Sequence, residues 1–592
     1  MEKHRVLALV ALVIGFVAID TAALAAEPPG WLQWGSDAQH TGFFPVAAQP
    51  PEAILSDTVV DPNAQASYEE VGGDLLVHYQ VPLTQGNSVY MTFKGPDWTS
   101  FWTWQTQSWG MKRMDWKKGQ LTTKWSRSSD WKPVPNGQWK WVGYWLFEGP
   151  QWEPVFHGAV AGTWVYMPGA GGSIYKLRKD TGAVVSRIKP FGATINPNVY
   201  ANSPVTVWNG NVYYNVIQLD PDNPWTSDVV GSWLVRIAPN GTVTKVSYAS
   251  LTPGAPGATD PCTVQFGNAS DASSLPWPPS PTAIAGTTPC GTQRVGTNIA
   301  PAVAPDGTVY TASRAHFVDR YSYLIAVHAD LTPKWAASLR GRLNDGCNVT
   351  LPPNGSPGGC TDGATTGVDP ATNELPAGRI YDDSTASPTV APDGSVLFGV
   401  LTRYNFDQGH LMRFSSAGDF LGAYGFGWDM TAGIFPHDLT YSIIFKENHY
   451  GDVGSYCNVE SICPSDRTAT YPSNPEAYFV TQLSPSLVPE WQWQNTNTES
   501  CVRNPDASIT CTSDHPNGFE FCVNAVAIDA NGVVYADSED GNVYAVAQGG
   551  TLAHNLFLNL SLGAAYTPVS IGSDGKVYSQ NFGHMLVTGL AP

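Results

Sequence analysis

Basic residues are scarce in this chain of 592 residues, which has 31 Lys and Arg against 50 Asp and Glu and a formal net charge of −19. A surface with this balance repels polyanions, so we expect neither nucleic acid nor an anionic membrane as a partner. Charged residues make up only 14% of the chain, and no long segment shows the 3.6-residue apolar period of a helix. The 58 Gly, 47 Pro and 12% aromatic residues instead predict an all-β protein.

Long apolar runs are missing after the N-terminus. The first residues predict a signal peptide, with basic residues in Met1–Arg5, an apolar run in Val6–Ile19 and small residues at Ala23 and Ala25. The apolar run is shorter than the ~20 residues of a membrane span. Because the first Cys is Cys262, no lipid anchor next to the signal is expected. We therefore predict a secreted or periplasmic protein, cleaved near Ala25 and without a membrane anchor.

Several cysteine and catalytic motifs are also absent. The chain has no C-x-x-C pair, no C-x-x-C-H for covalent haem, no EF-hand, no G-x-S-x-G and no phosphate loop, so the sequence specifies no metal and no catalytic residue. The nine Cys lie in loop-like inserts, which predicts disulfide staples in an oxidising compartment. The predicted pairs are Cys262–Cys290, Cys347–Cys360 and Cys457–Cys463, and one thiol among Cys501, Cys511 and Cys522 is left over or pairs elsewhere.

What the chain does contain is a repeat. Segments such as NSPVTVWNGNVYY at Asn202 and NIAPAVAPDGTVYT at Asn298 share an apolar strand, a Gly turn and a Val-Tyr strand. Third and fourth strands follow in several units, and four short strands recurring around a ring predict a β-propeller. Counting gives eight blades, or seven if the segment at Phe435 is not a unit. The last unit stops after about three strands, so we predict that the N-terminal segment Trp31–Phe44 joins it and closes the ring.

Tryptophan is concentrated in the first unit. Eleven of the 22 Trp lie between Trp98 and Trp152, which predicts an insertion at about 98–152 in a single propeller domain covering residues 26–592. Alternation would place Trp102 with Trp104, and Trp139 with Trp141, on one strand face. Packing between blades explains such residues, and the alternative is an aromatic platform for sugar rings or another planar ligand.

Two motifs resemble the quinoprotein-type propellers, the pyrroloquinoline-quinone (PQQ) dehydrogenase-like superfamily. The opening WLQWGSDAQHTGFF (Trp31–Phe44) is similar to the family's Trp-x-x-x-Gly-x-Asp-x-x-x-Thr-Gly entry, and GSIYKLRKDTGAVV (Gly172–Val185) is similar to its blade text. The resemblance implies the propeller fold, and PQQ with calcium as candidate cofactors. The family also contains non-catalytic assembly scaffolds. The vicinal Cys pair of its alcohol dehydrogenases is missing here, so no catalytic residue is carried over.

In a propeller, the residues just before each innermost strand surround one mouth of the central channel. These positions are mostly polar here, which predicts a binding site at the mouth, although such residues also satisfy backbone groups. The predicted site residues are His157, Asn202, Asn298, Asp383, His437, Asn524 and Tyr566. Further candidates for acid–base or metal chemistry are Arg314 with His316, Asp382 with Asp383, and Glu447, His449 and Asp452.

Three functional classes follow. The first is an exported ligand-binding or scaffold propeller that uses the channel mouth or the Trp-rich surface to bind a polysaccharide, a small molecule or a protein partner. The second is a quinoprotein-type oxidoreductase dependent on PQQ and calcium. The third is a carbohydrate-active hydrolase or lyase. Fold alone does not choose among them, because one fold supports many functions.

Overall fold

The computed structural model describes residues 28–142, 145–266, 278–343, 346–349, 363–384, 386–402, 408–427, 430–449, 477–521, 525–563 and 568–591. These residues form eight antiparallel blades arranged as a propeller, which confirms the predicted fold and blade count. The described part of the chain contains three short helices, and none of them is long and apolar enough to cross a membrane.

The chain enters through β1 (Gly30–Trp31), β2 (Ala53–Val59) and α1 (Ala64–Glu70). Blade 1 follows with β3 (Leu83–Gln85), β4 (Ser88–Lys94), a 3₁₀ helix (Phe101–Thr106), β5 (Trp109–Lys117) and β6 (Gln120–Ser129). A separate hairpin comes next, formed by β7 (Gln138–Trp141) and β8 (Trp145–Glu148). The predicted Trp-rich insertion therefore contains the two outer strands of blade 1 as well as this hairpin.

Blades 2 to 4 continue the same order from the inner to the outer edge. Blade 2 consists of β9 (Ala159–Ala161), β10 (Trp164–Gly169), β11 (Ser173–Arg178) and β12 (Val184–Ile188). Blade 3 consists of β13 (Val199–Ala201), β14 (Thr206–Trp208), β15 (Asn211–Gln218), β16 (Gly231–Ile237) and β17 (Val243–Ser247), followed by α2 (Tyr248–Leu251). After a ribbon of β18 (Pro261–Thr263) and β19 (Thr287–Pro289), blade 4 consists of β20 (Gln293–Val295), β21 (Ala302–Val303), β22 (Val309–Ala315), β23 (Ser322–Val327) and β24 (Pro333–Ser338).

The remaining blades complete the ring. Blade 5 consists of β25 (Thr389–Val390), β26 (Val396–Leu401), β27 (Gln408–Phe414) and β28 (Phe420–Gly427). Blade 6 consists of β29 (Gly433–His437), β30 (Thr440–His449), β31 (Ala477–Leu483) and β32 (Pro489–Asn495), and the hairpin β33 (Glu499–Arg503) and β34 (Ile509–Ser513) follows it. Blade 7 consists of β35 (Ala527–Ile528), β36 (Val534–Asp537), β37 (Asn542–Ala547) and β38 (Thr551–Phe557), and blade 8 contains β39 (Ser570–Ile571), β40 (Val577–Asn581) and β41 (His584–Gly589).

The ring is closed by the N-terminal part of the chain, but by a different segment from the predicted one. Strand β2, at Ala53–Val59, pairs antiparallel with β41 and is the outer strand of blade 8. The predicted segment Trp31–Phe44 lies instead along the inner strands. Both segments belong to the N-terminal region, but β2 is a half-exposed edge strand whose apolar alternation is weak, and this made it hard to recognise from sequence.

Residues 30–49 form an inner belt that contacts the blades one after another. It starts at β1, which pairs with β3 of blade 1, and ends where Gln49 N donates to Gly575 O of blade 8 at 2.7 Å. The hydrogen bonds between these ends follow the blade order: Leu32 O with Val160 N, Gln33 Oε1 with Val207 N, Ala38 O with Val303 N, Gln39 O with Val390 N, Thr41 O with Ile434 N, and Gly42 O with Ile528 N. This belt thus satisfies inner edges that would otherwise be unpaired.

Tryptophans of the outer strands pack blades together. Trp125 of blade 1 is buried against Gly182 of blade 2, and its Nε1 donates to Lys179 O at 3.0 Å. Trp335 of blade 4 meets Gly418 of blade 5 in the same way. Gly182 has a φ of +66° and a Cβ there would lie 2.6 Å from the indole, so both the backbone and the contact require glycine.

Candidate functional site

The predicted channel mouth is filled by the chain itself. His157, Asn202, Asn298 and Asp383 come together there, and each is at most 4% exposed. The Asn298 Oδ1 accepts a hydrogen bond from Val155 N at 3.0 Å. These four side chains are therefore buried structural groups at the mouth, because the connections between blades cross over it.

Three connections between blades meet at Asp383. The Asp383 Oδ1, before blade 5, accepts from the main-chain N–H groups of Gln151 and Trp152, before blade 2, at 2.5 and 3.0 Å. The His78 Nε2, before blade 1, lies 3.1 Å from Asp383 O. Because these hydrogen bonds join connections that precede different blades, the described part of the chain closes the mouth.

The other predicted mouth residues divide into two groups. His437 is the last residue of β29 rather than a residue before it, so it lies at the opposite end of the inner strand, where its Nε2 is 2.8 Å from Ser442 Oγ. The prediction is wrong for His437 because it assumed that the inner strand of blade 6 begins after this residue, whereas β29 begins at Gly433 and ends at His437. Asn524 and Tyr566 lie outside the described residues.

Two buried histidines of this region, His40 and His157, are neutral. His40, from the inner belt, has its Nδ1 2.8 Å from Pro388 O, and burial lowers its pKa to about 4. Burial also lowers the pKa of His157 to about 3. Its Nε2 has no protein partner among the described residues, nor has Nε1 of the adjacent Trp34, and such buried atoms normally bind internal water.

A quinone cofactor does not fit this mouth. Pyrroloquinoline quinone is a flat tricyclic molecule with carboxylate groups, so it needs an open slot with cationic or metal partners. The described residues fill the mouth with the His78 and Asp383 contacts instead. No group of three or more His, Cys, Asp and Glu able to hold a metal occurs in the described part of the chain.

The predicted aromatic surface is split by the structure. Trp102 and Trp104 lie on the 3₁₀ helix, not on a strand, so Trp102 is 43% exposed whereas Trp104 is buried and donates from Nε1 to Val134 O at 2.7 Å. Trp139 and Trp141 do share one face of β7, and they are 60% and 61% exposed. The prediction failed at the first pair because a Ser100 cap starts a helical turn there.

An open cleft of about 120 Å³ lies beside the β7–β8 hairpin, and we call it the hairpin cleft. Its aromatic residues are Trp139 and Phe147 of the hairpin together with Phe317 and Tyr381, and its charged residues are Glu148, Arg314, Asp319, Arg320, Arg379 and Asp382. All of these elements are loops or strand ends on the face that carries the closed mouth.

The base of the hairpin cleft is a buried network of charges. Arg314 Nη2 donates to Glu148 Oε2 at 2.9 Å, and its Nη1 donates to Asp382 Oδ2 at 3.2 Å. Arg294 forms a bidentate pair with Asp382 at 2.8 and 2.6 Å. Burial opposes the charge on Asp382, but the two guanidinium groups outweigh it and hold the pKa of Asp382 far below its usual range.

A second ion pair forms the side wall. The Asp319 carboxylate accepts two hydrogen bonds from Arg379, at 2.8 and 2.7 Å. Burial raises the pKa of Asp319, but Arg379 and Arg314 outweigh burial and hold it at about 2. Both ion pairs are thus charged at neutral pH, and the rigid pairing fixes their donors and acceptors in position.

Sequence reasoning found some of these residues and missed others. It selected Arg314, His316 and Asp382, but it gave no role to Glu148, Asp319 or Arg379. His316 is structural: its Nδ1 accepts from Arg294 Nε at 2.9 Å and its Nε2 faces main-chain oxygens. The third candidate group, with Glu447 and His449, is a self-satisfied buried cluster in blade 6, and Asp452 lies outside the described residues.

The cysteines agree with the prediction where they can be assessed. Cys262–Cys290 is a disulfide, as predicted, and Cys501 pairs with Cys511 across the β33–β34 hairpin. Cys347 is disulfide-bonded, but its predicted partner Cys360 lies outside the described residues, as do Cys457, Cys463 and Cys522. The pairs Cys347–Cys360 and Cys457–Cys463 therefore stay predictions.

No protein-family model and no curated protein matches the chain. Similar solved structures include a europium-containing methanol dehydrogenase, at 11% identity over 93% of this chain and 89% of that one, with a TM-score of 0.47. Another is a quinohemoprotein alcohol dehydrogenase from Comamonas testosteroni (10% identity, 96% and 82% coverage, TM-score 0.47). A third is BamB from Moraxella catarrhalis (10% identity, 91% and 99% coverage, TM-score 0.40). Similarity at this level says nothing about substrate or cofactor, and the eight-bladed fold rests on the sheets described above.

Proposed function

We propose that this protein is an exported ligand-binding propeller whose site is the hairpin cleft and whose ligand is a neutral oligosaccharide. The observation that carries the proposal is the position of Trp139, which is 60% exposed and lines a cleft with a buried, charged base. Sugars present apolar ring faces and hydroxyl groups, and this cleft offers an aromatic side chain for the first and fixed polar groups for the second.

The aromatic part of the cleft supplies stacking area. Trp139 lies edge-on to Phe147 with ring centroids 5.0 Å apart, which holds the indole in one orientation. Trp141 is on the same face of β7 and extends the exposed area. Stacking on an exposed aromatic ring contributes on the order of 1 kcal/mol, so two rings support weak but specific binding. Soluble proteins rarely expose such aromatic area without a use.

The polar part of the cleft favours an uncharged ligand. Arg314, Arg320 and Arg379 each pair with a carboxylate, of Asp382, Asp369 and Asp319 respectively, so no arginine of the lining is left for an anion. The whole chain has a net charge of −19, which repels acidic polysaccharides at long range. A volume of about 120 Å³ is below the 300–1,000 Å³ typical of drug-sized sites, so the cleft accepts one end or one unit of a larger molecule.

Export is part of the same proposal. The disulfides Cys262–Cys290 and Cys501–Cys511 support it, because such bonds persist mainly in oxidising compartments. The predicted signal peptide lies outside the described residues. Mass spectrometry of the protein recovered from the periplasm or medium tests this part, and we expect a mature N-terminus at residue 26.

Calorimetric and fluorescence titrations with cellotriose, xylotriose and maltotriose test the binding site. We expect at least one to bind and to change the Trp emission, and Trp139→Ala to weaken that binding about tenfold. Trp102→Ala is the matched control, because Trp102 is an exposed Trp of the same region that does not line the cleft. Equal losses in the two variants, or no binding by any of the three sugars, would reject the proposal.

A further inference from the structure

Glu148 differs from every other carboxylate in the hairpin cleft. It is the last residue of β8, lines the cleft and is only 2% exposed. Its Oε2 accepts one hydrogen bond, from Arg314 Nη2 at 2.9 Å. Among the described residues, no donor reaches its Oε1, and that atom is not among the fully enclosed side-chain oxygens. This oxygen is therefore available to accept a hydrogen bond from a ligand in the cleft.

The neighbouring carboxylates have no such free oxygen. Both oxygens of Asp382 accept from Arg294, with further donors from Arg314 and from Thr297 N. Both oxygens of Asp319 accept from Arg379. Since a buried acceptor without a partner is unfavourable, the free oxygen of Glu148 is the position where a ligand hydroxyl gains most from binding.

We infer that Glu148 Oε1 accepts a hydrogen bond from a hydroxyl group of the saccharide, and that binding releases the proton that Glu148 carries in the free cleft. The inference rests on the proposed function, since it assigns the polar contact of the same site. No bond of the sugar is made or broken: the proton passes from the Glu148 carboxyl to the buffer, and the carboxylate that remains accepts from the hydroxyl.

The surroundings of Glu148 make this exchange possible near neutral pH. Burial raises the pKa of Glu148 to about 7, although Arg314 and Arg294 act in the opposite direction. Asp319 and Asp382 add to the rise, and Lys140 on β7 also interacts electrostatically with Glu148. A hydroxyl that donates to the carboxylate favours the charged form, so it lowers the pKa and drives the proton off.

Proton-linked calorimetry tests the inference. The sugar used is whichever of cellotriose, xylotriose and maltotriose binds, titrated at pH 7 in phosphate and in Tris, whose ionisation enthalpies differ. We expect release of up to about half a proton per ligand, because Glu148 is about half protonated there. Affinity should rise several-fold between pH 6 and pH 8. Proton uptake, or affinity that does not change with pH, would overturn the inference and leave the proposed function standing.

Variants test whether Glu148, and not another titratable group, releases the proton on binding. Glu148→Gln should bind more weakly, with no pH dependence and no proton release, whereas Glu148→Asp keeps the charge and should keep the dependence. Glu490→Gln, in blade 6, is the control and should behave as the wild type. A ligand-free infrared difference spectrum, wild type minus Glu148→Gln, should show a protonated carboxyl band that titrates near pH 7. If that band is present but none of the sugars binds, the proposed function is wrong and the inference falls with it; if it is absent, the inference alone is wrong.

Discussion

The imidazole Nε2 of His78 lies 3.1 Å from the main-chain oxygen of Asp383, although the two residues are 305 positions apart in the sequence. They precede the inner strands of blades 1 and 5, which are four blades apart in a ring of eight. The contact therefore spans the channel mouth. It explains why the proposed site of this propeller is displaced from the axis to the hairpin cleft.

Acid should destabilise the protein through its buried histidines. Burial lowers the pKa of His40 and His78 to about 4, against 6.5 for the ordinary group. The unfolded chain then binds more protons than the folded chain between pH 6.5 and about 4, so stability falls as the pH falls through this window. A tenfold difference in proton affinity between the two states corresponds to about 1.4 kcal/mol. Urea denaturation at pH 7.5 and 4.5 measures the loss.

A variant assigns part of this loss to one residue. His40→Gln removes the buried titrating ring, so its free energy of unfolding should change less between pH 7.5 and 4.5 than that of the wild type. His554→Gln, at an exposed position of β38, is the control and should keep the wild-type slope. An unchanged slope in His40→Gln would show that His40 does not titrate in this range.

Substitution of Gly182 should loosen the contact between blades 1 and 2. Gly182→Ala combines an unfavourable φ of +66° with a Cβ 2.6 Å from the Trp125 ring. Gly119→Ala has a similar φ of +78° but no atom within 4 Å, so it isolates the backbone effect. We expect a loss of about 1–2 kcal/mol in the control and ~1–3 kcal/mol more in Gly182→Ala, measured by urea denaturation. Equal losses would mean that the indole moves aside freely.

Local turns could be predicted from the sequence, whereas contacts across the ring could not. The turns that join inner strands were predictable, because Asp306 and Asp393 accept from the N–H two residues on and a glycine with positive φ follows each. The fold follows from such local patterns. The closed mouth does not, since the His78–Asp383 contact depends on which blades face each other and no periodicity encodes that.

Only part of the candidate site could be predicted from the sequence, for a related reason. Arg314 could be selected as a charged residue near the end of a strand and Asp382 as part of an acidic pair, but Glu148 lies inside the Trp-rich segment, which was interpreted as packing between blades or as an aromatic platform. Its importance comes from burial and from having one partner, and both are tertiary properties. Strand alternation places Trp139 and Trp141 on one face of β7, where they are exposed, whereas a helical turn separates Trp102 from Trp104.

Loss of the Cys262–Cys290 disulfide should affect both stability and sugar binding. The bond is buried beside Val264, Phe317 and Val318, which line the hairpin cleft. Replacing both cysteines by Ser removes a cross-link over 28 positions and should lower the free energy of unfolding by about 3–4 kcal/mol. Binding of whichever of the three trisaccharides proves to be a ligand should weaken because the cleft wall loosens.

The second disulfide provides the control for this experiment. Cys501–Cys511 lies in the exposed β33–β34 hairpin and spans 10 positions. Its double Ser variant should lose about 3 kcal/mol or less and keep wild-type affinity for the sugar. Equal weakening of binding in both variants would indicate a general loss of structure.

Peptide mapping without reductant, on the same samples, will decide whether Cys347–Cys360 and Cys457–Cys463 are linked.

The whole propeller should unfold in one step. The inner belt contacts all eight blades, so no blade can separate without breaking hydrogen bonds to residues 30–49. We expect a single transition in scanning calorimetry, with equal calorimetric and van't Hoff enthalpies. Two resolved transitions would contradict the prediction that residues 26–592 are one domain.

The pairing of β2 with β41 also determines when the ring can close during folding. His584 Nδ1 reaches Asp57 Oδ1 at 2.6 Å, a contact between residues 527 positions apart. Strand β2 precedes every blade in the sequence, yet its partner β41 is the last strand of the ring, so the edge of β2 stays unpaired until β41 has been synthesised. Closing so long a loop is slow. Once it is closed, the same contact must break before the ring can open, and this makes the finished protein resistant to unfolding in time as well as in free energy.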